Sequence, residues 1–223
     1  MTHDLLDCIE LQTGPNPEYA VIWLHGLGAD GHDFTPIVPE LELAASPAVR
    51  FVFPHAPVQP ITINQGMAMR AWYDIRTADL EKREDENGLR ASQQAIEKLI
   101  ARERERGIAA DHIVLAGFSQ GCAMTLQTGL RHPEKLAGLV CLSGYLPLAE
   151  TLATERHEAN QSTPVFMAHG TQDPVVDIAR AQRSCETLQT LGYSVEWHTY
   201  TMPHSVCLEE IKAIAAFLKR ILA

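Results

Sequence analysis

The chain predicts an α/β fold, a mainly parallel central sheet with helices on both faces, and three observations carry that prediction. Apolar runs rich in strand formers, such as Ala20-Val21-Ile22-Trp23-Leu24 and Ile113-Val114-Leu115-Ala116, have the pattern of strands buried on both faces. Stretches with apolar residues at helical spacing separate those runs, so strands and helices alternate from end to end and parallel strands joined by right-handed crossovers follow. Several of the runs also stop abruptly in glycine- or proline-bearing loops that carry serine, aspartate and histidine. At 223 residues, 46% hydrophobic and 21% charged, the chain suits a single domain spanning 1–223, with no linker, internal repeat or second composition class.

Residues 5–11 have mixed β character. Residues 20–24 form a strand that runs into His25-Gly26-Leu27-Gly28-Ala29-Asp30-Gly31, where three glycines let the backbone come close to a bound group. Taken alone this is a turn or a phosphate cradle, but it lacks the Lys-Ser/Thr ending of nucleotide loops. A short helix is predicted over 34–43. Val49-Arg50-Phe51-Val52-Phe53 then reads as a strand closed by Pro54-His55-Ala56-Pro57, which cannot continue a ladder. A long connection from 58 to 70 carries Ile61, Ile63, Met67 and Met69 with no steady period, then reaches Ala71-Trp72-Tyr73-Asp74. Long loops of this kind are often lids or binding loops, and flexible Met and Ile side chains suit an acyl chain; packing of the loop onto the core is the equal alternative.

Residues 78–87 are heavily charged and expected in solvent. Beyond them Leu89, Ile96, Leu99 and Ile100 fall near one helical face, with charges alternating in sign over 103–106 and a stop at Gly107. Residues 136–143 make another buried strand, after which Gly144-Tyr145-Leu146-Pro147 turns the chain, and 151–162 is polar and uninformative. Pro164-Val165-Phe166-Met167-Ala168 is a strand ending in His169-Gly170-Thr171-Gln172-Asp173-Pro174. Residues 178–191 read as helix and 194–201 as a strand, followed by the loop Met202-Pro203-His204-Ser205. The last helix places Leu208, Ile211, Ala215, Leu218 and Leu222 on one apolar face.

The chemistry centres on Gly117-Phe118-Ser119-Gln120-Gly121, which lies between the strand at 113–116 and the helix-like run that ends near Arg131-His132-Pro133. Gly-x-Ser-x-Gly between strand and helix is the nucleophile elbow of the α/β-hydrolase fold: small neighbours tolerate a strained serine, and the following helix aims its N–H groups at developing negative charge. Ser119 is the candidate nucleophile, against the plainer reading of a glycine-rich turn with an incidental serine. In that fold the partners follow in the order serine, acid, histidine, each at a strand's C-terminal end. Asp173 and His204 fit. His157, His169 and His198 come late enough to compete with His204, and Asp177 is the alternative acid. The oxyanion donors are predicted as the backbone N–H groups of Leu27 and Gln120, and no metal or organic cofactor is required for acyl transfer to water.

The net charge of −10, from 28 acidic and 18 basic residues, argues against nucleic acid and anionic membranes as partners. Met1-Thr2-His3-Asp4 starts acidic, and no apolar run reaches the roughly 20 residues that span a bilayer, so stable membrane insertion is not expected and the chain reads as cytoplasmic. Cys8, Cys122, Cys141, Cys185 and Cys207 suggest buried thiols rather than disulfides or a metal site.

These motifs together resemble the carboxylesterase and acyl-protein thioesterase family of small α/β-hydrolases almost from end to end. The resemblance rests on His25-Gly26-Leu27-Gly28 with Asp30, Pro54-His55-Ala56-Pro57, Trp72-Tyr73-Asp74, the elbow, Ser143-Gly144-Tyr145-Leu146-Pro147, His169-Gly170 with Asp173-Pro174-Val175-Val176, and His204-Ser205. It implies a catalytic Ser119, Asp173 and His204, oxyanion donors at Leu27 and Gln120, and hydrolysis of carboxylic esters or acyl thioesters, with removal of acyl groups from proteins as the alternative. Ile63, Met67, Trp72 and Tyr145 are the expected substrate-binding residues, and a monomer or homodimer the expected assembly. Pro203 before the histidine and Tyr73 after Trp72 depart from residues frequent in the family, glycine and phenylalanine. A non-catalytic binding protein on the same fold is the reading from another class.

Overall fold

Alternation within each apolar run sends side chains to two faces of a sheet, and both faces are covered by helices. The computed structural model describes residues 5–43, 47–77 and 84–222; the acidic start at 1–4 and most of the charged stretch at 78–87 lie outside the described residues. The strands are β1 (Cys8–Gln12), β2 (Tyr19–Leu24), β3 (Val49–Pro54), β4 (Val58–Ile61), β5 (Met67–Arg70), β6 (Ile113–Phe118), β7 (Gly138–Leu142), β8 (Val165–Gly170) and β9 (Val195–Tyr200). The helices are α1 (Ile37–Glu40), α2 (Glu86–Glu105), α3 (Gln120–Gly129), α4 (Ala149–Glu155), α5 (Ile178–Thr190) and α6 (Leu208–Ile221). Seven strands form one sheet in the order β1-β3-β2-β6-β7-β8-β9, in which only β1 runs antiparallel to its neighbour.

One face of the sheet presents Ile22, Leu115, Cys141 and Met167 to α2, α3, α4 and α5, which answer with Ile96, Leu99, Leu126, Leu152 and Leu188. The other presents Trp23, Phe51, Val140 and Phe166 to Ile37 of α1 and to Ile214 and Phe217 of α6. Each such side chain contributes about 1.5–3 kcal/mol by leaving water. The chain passes from β2 to β3 on one side and later reaches β6 on the other side of β2. A sheet whose winding reverses in this way opens a crevice outside the carboxyl ends of its strands, so the loops after β2 and β6 meet there.

Four expectations are corrected. The helix over 34–43 shrinks to α1, four residues: Pro39 has no N–H to bond back to residue 35, which blocks an earlier start, and Glu42 at φ 46° ends it. The connection over 58–70 is an antiparallel hairpin of β4 and β5, with Ile61 opposite Met67 and a turn closed by Gln65 and Gly66 in left-handed conformations (φ 58° and 79°). Apolar residues on its exposed side hide the alternation by which strands are recognised. The polar stretch 151–162 contains most of α4, whose Leu152 is fully buried, and Asn160, whose carboxamide bonds Leu136 N–H and the carbonyls of His132 and Glu134. Leu208 is 52% exposed, and the first turn of α6 buries Glu210 instead.

Candidate active site

Strand β6 ends at Phe118 and α3 begins at Gln120, so the whole reversal falls on Ser119, at φ 57° and ψ −117°. A non-glycine residue held there stores on the order of 1–3 kcal/mol. It is clamped by its own N–H, which donates to Leu142 O at 2.9 Å. The two glycines of the elbow are dictated by close approach: a Cβ on Gly117 would collide with the carbonyl of Gly121, and one on Gly121 with that of Leu24.

Ser119 Oγ lies 2.9 Å from His204 Nε2, and His204 Nδ1 lies 2.6 Å from Asp173 Oδ2. The structure thus brings together the three residues that the chain order singles out. Asp173 has no exposed side-chain surface, while His204 keeps 16%. The other carboxylate oxygen of Asp173 accepts from the N–H groups of Val175 and Val176 at 2.8 and 2.9 Å, which fixes its orientation. Phe118 packs its ring 4.7 Å from that of His204. Gly170 is needed because a Cβ there would run into the carbonyls of Met202 and Pro203, the residues that lead into His204.

The competing residues have other roles. Asp177 caps α5 by accepting from Ala179 N–H at 2.8 Å. His198 pairs with Glu196 and stacks on Phe166, and His157 accepts from Ala159 N–H. His169 is fully buried, with Nε2 2.8 Å from Val176 O and 3.4 Å from Asp173 Oδ2, and burial pushes its pKa down. Its approach to the acid was not legible in the sequence.

The loop after β2 is held from several sides. His25 is buried, its Nδ1 lies 2.7 Å from Gly26 O, and its Nε2 accepts from Ala56 N–H at 3.1 Å, an arrangement that selects the tautomer with hydrogen on Nδ1. Desolvation lowers its pKa and favours the neutral ring. Trp72 Nε1–H donates to His25 O at 2.9 Å, Gly28 N–H to Arg70 O at 2.9 Å and Gly31 N–H to His55 Nδ1 at 3.1 Å. Between these anchors the N–H of Leu27 has no partner among the described residues. Gln120, as the first residue of α3, has a backbone N–H without an intrahelical acceptor. Gly26, Gly28 and Gly31 do have the spacing of a dinucleotide loop, yet they lead into turns and a four-residue helix, so no helix of useful length faces them.

The expected substrate wall divides. Ile63 and Met67, on the hairpin, are 42% and 64% exposed. Trp72 and Tyr145 are 1% and 4% exposed, because each commits its polar atom to the core. Trp72 bonds His25, and the Tyr145 hydroxyl meets that of Tyr73 at 2.7 Å beneath the guanidinium of Arg180. Burial raises both tyrosine pKa values, so both remain protonated. Two clefts of about 460 and 470 Å³ lie between α4 and α5, away from Ser119 and His204. Among the described residues no cluster of three or more His, Cys, Asp or Glu could hold a metal ion, and no helix is long and apolar enough to cross a membrane.

The family model described as phospholipase/carboxylesterase matches residues 7–222. The chain is 45% identical over 207 residues to acyl-protein thioesterase 1 of Neurospora crassa, covering 89% of this chain and 84% of that protein. It is 41% identical over 229 residues to acyl-protein thioesterase 1 of Mycosarcoma maydis, covering 96% and 95%. Its fold is similar to the crystal structure of Zea mays acyl-protein thioesterase 2, with a TM-score of 0.86 at 27% identity over 97% of this chain and 99% of that one.

Proposed function

The chain belongs to the phospholipase/carboxylesterase family and is a serine hydrolase of carboxylic esters and thioesters, and from that premise we propose that Ser119, His204 and Asp173 are its catalytic residues and that it releases acyl groups from proteins. The observation that carries the assignment is the line from Ser119 Oγ to His204 Nε2 to Asp173, with spacings of 2.9 and 2.6 Å.

In this reading His204 Nε2 takes the hydroxyl proton as Ser119 Oγ attacks the acyl carbonyl carbon. Asp173, already oriented by two backbone N–H groups, accepts a hydrogen bond from His204 Nδ1–H and stabilises the imidazolium. The N–H groups of Leu27 and Gln120 receive the oxyanion. Collapse of the adduct breaks the bond to the leaving thiolate or alkoxide, which takes the proton from His204, and an acyl-Ser119 ester remains. Water then repeats the sequence, with His204 as base, and frees the carboxylic acid and Ser119.

The acylated-protein substrate is supported by relatives named acyl-protein thioesterase 1 that align over nearly their whole length. Ile63 and Met67 on the hairpin form the proposed acyl wall; the hairpin joins the loop of Leu27 through Gly28 N–H and Arg70 O. Five free cysteines are consistent with a reducing cytoplasm, where we place the enzyme. The test is labelling with a fluorophosphonate, then hydrolysis of an S-acylated cysteine peptide beside a nitrophenyl ester. Modification at Ser119 with turnover of the peptide supports the proposal. A folded protein that does not label refutes the triad, and turnover of the nitrophenyl ester alone refutes the protein substrate.

A further inference from the structure

We propose that the side chain of Gln120 is a positioning group that ties the two oxyanion donors to one another through Trp72, an inference that rests on the reading of Ser119, Leu27 and Gln120 given above. Gln120 is 3% exposed, and its carboxamide is used twice. Oε1 accepts from Trp72 N–H at 3.0 Å, and Nε2 donates to Tyr73 O at 2.8 Å. One acceptor and one donor from the same amide thus engage the backbone of 72–73 as a peptide group would.

Trp72 passes that constraint on. Its carbonyl is bonded by Ser92 Oγ, and its indole Nε1–H reaches His25 O at 2.9 Å. Two residues before Trp72, Arg70 O accepts from Gly28 N–H. The loop is therefore bonded to segment 70–72 on both sides of Leu27, and Gln120 holds that segment. The backbone N–H of Gln120 is itself the second donor. Steric contact completes the frame: Gly121 abuts the carbonyls of Leu24 and His25, and a Cβ on Gly26 would stand 3.4 Å from Ser119 Cβ. An oxyanion hole works only when both donors converge on one oxygen, at about 2.7–3.1 Å, and losing one donor typically costs about 100- to 1,000-fold in rate. A network that fixes the spacing of the pair acts on that quantity and on little else.

Gln120→Met keeps the length of the side chain and removes both bonds; Trp72→Phe keeps an aromatic ring and removes the indole donor together with the volume of the second ring. In the full chain, each is expected to lower kcat on a nitrophenyl ester by about 10- to 100-fold, with KM changed by less than about threefold. Affinity for a trifluoromethyl ketone, whose adduct carries the oxyanion, should fall by the same factor as kcat/KM, and the pH–rate profile should keep its shape. Because both act through one network, the double variant should lose no more than about threefold beyond the worse single variant. A kcat within about threefold of the parent in both single variants, losses that multiply, or unchanged ketone affinity overturns the proposal. Should Gln120→Met fail to fold, Trp72→Phe decides by the same criteria. Ser119→Ala in the same series separates the two levels: turnover there within about tenfold of the parent overturns the site itself, whereas a Ser119→Ala reduced by several orders of magnitude beside a fully active Gln120→Met overturns only the positioning role.

Discussion

Asp173 Oδ2 lies between two histidines, bonded to His204 Nδ1 at 2.6 Å and approached by the buried His169 Nε2 at 3.4 Å. Burial favours the neutral His169 ring, whose Nε2–H bonds Val176 O and stands beside the carboxylate without adding charge. His169→Leu should lower kcat by roughly tenfold and stability by about 1–3 kcal/mol, as a buried carbonyl loses its donor. Asp173→Asn, which upsets the tautomer of His204, should cost about 10⁴ in kcat. Asp177→Asn should change little, because asparagine caps a helix as well as aspartate does. Rates and melting temperatures for the three variants check this; a larger loss from Asp177→Asn than from Asp173→Asn would move the acid.

Ser119→Ala and His204→Ala are each expected to fold and to lose several orders of magnitude in turnover. The double variant should be scarcely worse than either, because residues that act as one unit do not contribute additively. Single-turnover rates on one ester substrate measure the coupling, and multiplicative losses would argue that the two residues act separately.

Glu210 is 0% exposed with no cation beside it among the described residues to pair its carboxylate, and burial, opposed only by the backbone N–H of Cys207, raises its pKa from 4.5 to about 8. Between those values the folded state holds a proton that the unfolded state releases. Stability contributed at low pH is therefore lost as pH rises through that window and levels off above about 8. At pH 7 the loss is on the order of 3 kcal/mol. Glu210→Gln cannot ionise, so it should be more stable than the parent near pH 7 and show a flatter profile between pH 5 and 8. Urea midpoints across that range test it; identical profiles would mean that the carboxyl is already ionised in the folded protein.

The exposed side of the hairpin, with Ile63 and Met67, should carry the preference for acyl length. Each buried methylene of the acyl chain is worth up to about 0.8 kcal/mol, or roughly fourfold in binding. Replacing both residues with alanine should slow hydrolysis of long acyl esters and spare acetate esters. Equal losses on both, or no change on either, would place the acyl chain elsewhere.

The local parts of this site were legible because their causes are local. A serine forced to positive φ needs small residues two positions away on either side, so Gly117 and Gly121 are written around Ser119. Continuous apolar runs located β6 and β8, alternation of Val195, Trp197 and Thr199 located β9, and with them came the loops that carry Asp173 and His204. The burial of Trp72 and Tyr145 was not legible in the sequence. An aromatic side chain after a strand has one sequence pattern whether it faces a crevice or the core, and its direction depends on whether a carbonyl such as His25 O waits for it.

By itself, then, the sequence determined the alternation of strands and helices and the strained elbow, each of which depends on residues within a few positions of one another, and the chain order in which Ser119, Asp173 and His204 follow their strands. Tertiary structure alone decided that β2 lies beside β6, which sets the loop of Leu27 against Ser119, and that Gln120, Trp72 and His25 bond in series across 47 to 48 positions. The physical reason is that a hydrogen bond is directional over about 3 Å, and no periodicity in one dimension specifies which distant carbonyl a buried donor will meet.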